Sequence, residues 1–326
     1  MSNLSTWDGY DGYDGYDGYD GYDGYRGGGR RPGAQSLAIA RTRELLVYGP
    51  PFTRFGPPGG WPSSQADAFS GLSPEVRAQL IVLELLPQPI AIVAKSEFVH
   101  TIKLVDRELD LTVPTVDGLM NEVPQVEAMA ELRLEREPEI MAQLTYDPVF
   151  WAGMLPLGPR TTPRTLELMA VAVMFASFAT QRIKLHFNLP RPNALSPRVQ
   201  PLIQTPGFST FPSGHAVQSH LLRYLLPKLV GNAGSEWLEA LEGMLELLAD
   251  RIAENRVVAG VHFPADSAAG ELVARLLADH MEAAAGNADA TVGGGTFAWL
   301  WARAAAEWRP TTSGTTQPSA GGSGTP

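Results

Sequence analysis

The 326-residue sequence predicts an all-α fold, a single helical-bundle domain with long loops and disordered tails. Apolar residues recur at spacings of three and four along most of the body of the chain, as on the buried face of a helix. Proline stands in the first turn of several of these periodic segments, where its fixed φ suits a helix. Strand-like alternation is weak and confined to residues 111–116.

The periodic segments define the predicted helices in chain order. They cover residues 74–86, 96–111, 122–144, 163–187, 213–230, 235–256 and 264–284. Four of them have a proline at or near the first helical position, namely Pro74, Pro163, Pro212 and Pro264. Ser73 and Thr162 directly precede the first two of these prolines and strengthen the start signal.

Composition divides the chain into four parts. Residues 1–35 include six Asp-Gly-Tyr repeats at 8–25 and form a predicted disordered tail, because a three-residue period with Gly in every unit presents no apolar face. Residues 36–285 are the predicted helical domain, which carries the candidate catalytic residues. Residues 286–309 form a predicted linker and short C-terminal helix, and residues 310–326 form a second disordered tail.

The Asp-Gly-Tyr repeats are interpreted first as a solvated tail. The alternative is a segment that uses its tyrosines for self-assembly or for attachment to a surface. Tail-mediated assembly and a homo-oligomer are therefore the self-associations that the sequence leaves open.

Charge and cysteine content exclude several classes of protein. The chain carries 35 acidic and 25 basic side chains, a net charge of −10, which argues against nucleic acid as a partner. With no cysteine, it has no disulfide scaffold, no thiolate metal site and no Cys nucleophile. Six of the acidic residues lie in the repeats, so the whole-chain charge does not decide whether a local site binds anions.

The sequence also suggests a location. Its first residues lack the basic and apolar regions of a signal peptide. The longest apolar run, residues 168–179, is interrupted by Ser177 and is shorter than the roughly 20 residues of a membrane span. We therefore expect no membrane span and a cytoplasmic protein.

Two segments place polar residues at predicted helix ends. Lys184 lies near the end of the fourth helix, and Arg191 follows in a proline-rich elbow. Ser213, Gly214 and His215 open the next helix, where free amides and the helix dipole favour an anion and Gly allows close approach to the backbone.

A third segment places Arg256 at the end of one helix and His262 at the start of the next. Asp266 follows His262 by four residues, so its carboxylate can accept a hydrogen bond from one imidazole nitrogen and leave the other with a lone pair. Such a histidine acts as a nucleophile or as a ligand to an electrophilic centre.

Together the three segments predict an oxyanion site with two histidines in different roles, as phosphoryl-type chemistry requires. A zinc site built from His215, His220 and Asp266 is disfavoured because the nearby cations repel a metal ion. A hydrolase triad of Ser213, His215 and Asp266 is weaker still, since Ser213 and His215 are only two residues apart and the chain has no G-x-S-x-G motif.

The patterns Lys-x6-Arg-Pro, Pro-Ser-Gly-His and Arg-x5-His-x3-Asp occur in this order over residues 184–266. They resemble the superfamily of type 2 phosphatidic acid phosphatases and vanadium-dependent haloperoxidases, whose fold is a helical bundle. One departure is Asn255, where the family often has Ser before the arginine.

The resemblance implies a role for each matched residue. His262 would be the vanadate ligand of a peroxidase or the nucleophile of a phosphatase, oriented by Asp266, and His215 would transfer protons. Lys184 would act in catalysis as well as in binding. The residues implied to hold the vanadate cofactor, or a phosphate in the same site, are Lys184, Arg191, Ser213, Gly214, Arg256 and His262.

The resemblance leaves the reaction open among three alternatives. Phe208 occupies a position that chloroperoxidase-like members fill with Phe, and this favours a haloperoxidase that oxidises halide with hydrogen peroxide. The short gaps between motifs instead suit a soluble acid phosphatase that forms a phosphohistidine from a phosphate ester. The third alternative is a self-assembling scaffold with a relict site.

Overall fold

The computed structural model describes four stretches of the chain, residues 65–86, 89–231, 235–286 and 295–309. Both predicted tails, the start of the predicted domain and most of the predicted linker lie outside these residues. The described part is predominantly helical, which confirms the predicted fold class.

The first half of the described chain combines helices with a small sheet. It contains α1 (Gln65–Ser70), α2 (Pro74–Leu85), β1 (Ala91–Ala94), β2 (Val99–Leu104), β3 (Arg107–Thr112), α3 (Val116–Met129), α4 (Arg133–Ala142) and α5 (Val149–Ala152). The second half contains α6 (Pro163–Phe187), α7 (Pro192–Leu195), α8 (Gly214–Val230), α9 (Ser235–Val258), α10 (Pro264–Gly286) and α11 (Thr296–Ala306).

Helix α6 lies at the centre of the bundle. It packs against α2, α8 and α11, and α8 in turn packs against α9 and α10. Leu168, Phe175 and Ile183 of α6 are almost fully buried in the main apolar core, which also takes in residues of the sheet and of α11. The apolar period that predicted this helix therefore marks the face that the bundle buries.

The segment 96–111, predicted to be a helix, forms strands instead. Strand β2 pairs antiparallel with both β1 and β3. Its register with β3 runs from Val99 opposite Thr112 to Leu104 opposite Arg107. A strand places alternate residues on one face, and here Ile102 and Leu104 enter the core. The prediction failed because strand pairing is a contact between segments and leaves little trace in local apolar spacing.

The expectation that the chain has no possible membrane span is wrong. The stretch Pro163–Leu195, which contains α6, is long and apolar enough to cross a membrane, with a mean hydropathy of 1.3 over its best window. The sequence prediction counted only the uninterrupted apolar run, whereas isolated polar residues such as Ser177 lower the average little. In the bundle, 72% of that window is buried. The expected cytoplasmic location loses the support that rested on the absence of such a segment.

Candidate active site

The three sequence motifs meet where the end of α6 approaches the starts of α8 and α10. A cavity at this point is lined by Leu144, Arg191, Ile203, His215, Arg256, Val261 and His262. Four of the predicted site residues therefore share one cavity. Lys184, Ser213 and Gly214 belong to the same motifs and are buried, but they do not line this cavity.

The close approach of α8 to α10 depends on Gly270. A Cβ atom at this position would lie 2.7 Å from Ala216 Cβ and 3.0 Å from the carbonyl oxygen of Ser213. The main-chain N–H of Ser213 donates to the carbonyl of Asp266 at 2.9 Å, which ties the two helix starts together. The sequence analysis did not single out Gly270, because a close helix–helix approach has no local signal.

The chain reaches His262 through a left-handed turn. Gly260, with φ of +78°, follows the last turn of α9, and such a conformation favours glycine. The carboxylate of Asp266 Oδ2 then accepts hydrogen bonds from His262 Nδ1 at 3.0 Å and from the Phe263 N–H at 2.8 Å. This arrangement confirms that the four-residue spacing brings imidazole and carboxylate into contact.

His262 is held as a neutral, oriented imidazole. Burial lowers its pKa to about 4, the Asp266 hydrogen bond opposes this shift, and the charges of Arg191 and Lys184 add to it. The Nε2 atom is buried and has no hydrogen-bond partner among the described residues. A buried lone pair at the edge of a cationic cavity is suited to bond an electrophilic phosphorus or vanadium centre.

Two of the cations are fixed by main-chain oxygens. Lys184 Nζ donates to the carbonyls of Ser209 at 2.9 Å and Thr210 at 3.1 Å. Arg191 donates from Nε to the Phe208 carbonyl at 3.0 Å and from Nη1 to the carbonyl of residue 261, also at 3.0 Å. These contacts orient both groups without neutralising their charge.

Arg256 is held by Gln143, a residue that the sequence analysis missed. Its Nη2 donates to Gln143 Oε1 at 3.1 Å, and Asn255 Nδ2 donates to the same oxygen at 3.0 Å. Asn255, where the family often has Ser, therefore shares its hydrogen-bond acceptor with Arg256. Gln143 follows α4, more than a hundred residues away in sequence, so no local pattern indicates the contact.

His215 lies between two cavities. Its Nε2 is 2.8 Å from the main-chain oxygen of Gln143, and its side chain is partly exposed. It lines the cavity of His262 on one side and, on the other, a cavity of about 30 Å³ that is also lined by Tyr146 and Trp151. The two predicted histidines therefore line the same cavity, His215 from the first turn of α8 and His262 from the turn before α10.

Ser213 acts as a helix cap in this structure. Its Oγ accepts from the Ala216 N–H at 3.5 Å, at the start of α8. Glu122 of α3 plays a similar part for α10, where its Oε2 accepts from the Ala265 N–H at 3.1 Å, and burial raises the pKa of this carboxyl. Sequence reasoning missed Glu122, whose contact again joins distant segments.

The cavity between the histidines is small. Its volume is about 10 Å³, comparable with the space that one ordered water needs. A tetrahedral oxyanion is larger, so the cavity must widen when such an ion enters. The polar groups of the cavity nevertheless suit such an ion. Two guanidinium groups can donate hydrogen bonds to its oxygens, and the imidazole nitrogen of His262 offers a lone pair to its central atom.

The comparison with protein families agrees with the motifs. Residues 166–281 match the PAP2 superfamily model, and this stretch contains the three motifs. None of the curated proteins matches the chain. Among solved structures, the chain is similar to the first transmembrane PAP2 type phosphatidylglycerolphosphate phosphatase from Bacillus subtilis, with 16% identity and a TM-score of 0.31, over 75% of this chain and 92% of that chain.

The match of residues 166–281 confirms the resemblance of this part of the chain to the superfamily of type 2 phosphatidic acid phosphatases. The match supports an enzyme of the phosphatase type. Neither comparison supports the halide oxidation that the sequence analysis favoured.

Proposed function

We propose that the chain is a phosphatase that transfers the phosphoryl group of a phosphate monoester first to His262 and then to water. The observation that carries the proposal is the state of His262. Its Nε2 is buried and has no hydrogen-bond partner among the described residues, and its Nδ1 is held by Asp266. Because its pKa lies at about 4, the imidazole is neutral and nucleophilic at physiological pH.

The cations supply the electrostatic part of the reaction. Arg191 and Arg256 line the cavity that Nε2 faces, and Lys184 is held just behind it. Negative charge on the transferred group is spread over its equatorial oxygens, so fixed positive groups there lower the barrier. Main-chain oxygens hold Lys184 and Arg191 in place before the oxyanion binds.

His215 is the proposed proton donor to the leaving group. In the first step, the Nε2 lone pair of His262 forms an N–P bond, the ester P–O bond breaks, and the leaving oxygen takes a proton from protonated His215. In the second step, water attacks phosphorus and gives a proton to His215, the N–P bond breaks, and phosphate is released. For this, His215 must first exchange its contact with the Gln143 carbonyl for one with the substrate.

Hydrolysis of p-nitrophenyl phosphate by the full chain tests the proposed activity. We expect turnover in the wild type, inhibition by inorganic vanadate as a mimic of the transition state, and no turnover in His262→Ala. His280→Ala is the matched control. His280 is also buried, but it lies near the end of α10, where its Nε2 is 2.9 Å from the Leu85 carbonyl oxygen. Failure of the wild type to hydrolyse any phosphate monoester would contradict the proposal.

A haloperoxidase is the second candidate, and the placement of Phe208 favours it. The Phe208 ring lies 5.4 Å from Lys184 Nζ and 5.2 Å from Arg191 Cζ, so the residue singled out by the resemblance does cover two site cations. Vanadate bound at His262 Nε2, with Arg191 and Arg256 around it, would supply the centre that activates peroxide toward halide. Peroxide-dependent bromination of a dye that requires added vanadate would support this candidate over the phosphatase.

A further inference from the structure

The hydroxyl of Thr210 lies beside the proposed nucleophile, in the loop before α8. The side chain is fully buried, and its Oγ1 donates a short hydrogen bond to Asp266 Oδ2. The same Oγ1 lies 3.2 Å from His262 Nδ1. None of the three sequence motifs includes this threonine.

We infer that Thr210 is a positioning residue for His262, whose hydroxyl fixes the ring plane and the tautomer that expose Nε2 to the cavity. The inference rests on the proposed function, since it assigns to Thr210 a part in keeping Nε2 ready to attack phosphorus.

The geometry around Nδ1 explains this role. A hydroxyl has one proton, and Thr210 gives it to Asp266 Oδ2, so its oxygen faces His262 Nδ1 as an acceptor. The Nδ1 proton is therefore shared between Asp266 Oδ2 and Thr210 Oγ1, at 3.0 and 3.2 Å. Both acceptors favour a proton on Nδ1, and this leaves the lone pair on Nε2.

Two acceptors also restrain the ring more than one does. With Asp266 alone, the imidazole could rock about a single hydrogen bond, and Nε2 at the opposite corner of the ring would move most. Thr210 adds a second fixed point from a different segment of the chain. The main-chain oxygen of Thr210 also accepts from Lys184 Nζ at 3.1 Å, so one residue links the lysine to the histidine–aspartate pair.

The two oxygens of the Asp266 carboxylate have different surroundings. Oδ2 accepts from Thr210, from His262 and from the Phe263 N–H, whereas Oδ1 is buried with no hydrogen-bond partner among the described residues. A partial rotation of the carboxylate would move Oδ2 away from all three donors. The Thr210 hydroxyl, itself fixed in the loop, opposes that rotation.

A set of three threonine variants tests this inference. Thr210→Val keeps the side-chain shape and removes the hydroxyl, and Thr210→Ser keeps the hydroxyl. Thr165→Val is the matched control, because Thr165 donates a buried hydrogen bond to Glu307 Oε2 at 2.7 Å near the opposite end of α6. If T210V does not fold, Thr210→Ala replaces it.

We expect T210V to lower kcat for p-nitrophenyl phosphate by about 10- to 100-fold, with a much smaller change in KM. Losses of this size are typical when a residue that hydrogen-bonds to a functional histidine and orients its ring is removed. T210S should recover most of the loss, and T165V should lose thermal stability but keep kcat. Equal kcat values for T210V and the wild type would overturn the inference.

Nitrogen-15 NMR of the His262 ring gives a readout that does not depend on turnover. The wild type should show a protonated Nδ1 and an unprotonated Nε2, and T210V should show a mixture of the two tautomers. If the wild type hydrolyses no ester, the proposed function fails while this measurement still tests Thr210. Unchanged ring shifts in T210V would overturn the positioning role whatever the activity.

Discussion

Positive side chains are buried near both ends of helix α6, but the groups that accept their hydrogen bonds differ between the two ends. Near the start, Arg77 donates from Nε and Nη2 to the two carboxylate oxygens of Glu167 at 2.6 and 2.9 Å, and both side chains are almost fully buried. Near the end, Lys184 and the adjoining Arg191 donate to main-chain carbonyl oxygens instead.

The difference separates a structural use of charge from a functional one. At the start of α6, a carboxylate cancels the arginine charge, and the pair holds α2 against α6. At the end, main-chain oxygens orient the cations, and the charges of Arg191 and Lys184 add to the lowering of the His262 pKa that burial causes. Four predictions test this contrast.

Arg191→Ala should have the largest effect, and the effect should fall on activity. This cation lines the cavity where charge develops, so we expect kcat/KM for p-nitrophenyl phosphate to fall by about 10³-fold. Some loss of thermal stability is expected as well, because Arg191 is buried and donates to two main-chain carbonyls, so kcat/KM is measured well below the unfolding transition. A variant that keeps wild-type turnover would show that the end of α6 is structural too.

Arg77→Ala should have its effect on stability. Removing one partner leaves the Glu167 carboxylate buried with Arg164 as its remaining ion pair, and breaking a buried pair costs about 3–5 kcal/mol. The free energy of unfolding from urea titration measures this loss. Below the unfolding transition, kcat should match the wild type, and a large drop in kcat would contradict the division between the two ends.

Gln143→Glu should weaken the binding of oxyanions. The new carboxylate would lie where Gln143 Oε1 now accepts from Arg256, so it would neutralise that arginine. We expect the inhibition constant of inorganic vanadate to rise by about 10-fold or more. Gln143→Ala is the control, since it removes the amide without adding charge, and equal inhibition constants for the two variants would exclude Arg256 from oxyanion binding.

Acid should destabilise the fold through His262. Its pKa is about 4 in the folded chain, against an ordinary value of 6.5, so between these pH values the unfolded chain binds a proton that the folded chain does not. Stability is therefore complete above pH 6.5 and falls as the pH drops toward 4, by up to about 3 kcal/mol. His220, whose pKa burial also lowers to about 4, adds to this loss in the same window.

Urea titrations at a series of pH values measure the effect. His262→Gln should show a shallower decline between pH 6.5 and 4 than the wild type. An equal slope in both proteins would mean that folding does not lower the pKa of His262, which would contradict the buried, neutral imidazole on which its proposed role rests.

The sequence predicted the parts of the fold and site that have local signals. Helix α6 and the contact of His262 with Asp266 follow from apolar period and residue spacing. The strands over residues 91–112 were missed because pairing joins separate segments. Gln143 and Thr210 were missed for a related reason, since a single polar side chain that contacts a motif 50 or more residues away leaves no pattern around itself.

Trapping the phosphoryl group on the protein shows whether His262 is the nucleophile. The full chain would be mixed with p-nitrophenyl phosphate, quenched in alkali within the first turnovers and analysed by peptide mass spectrometry. A phosphoryl group on His262, acid-labile and absent from His262→Ala, is the expected result. A wild type that turns over ester while His262 stays unmodified, with the group on another residue, would contradict the account.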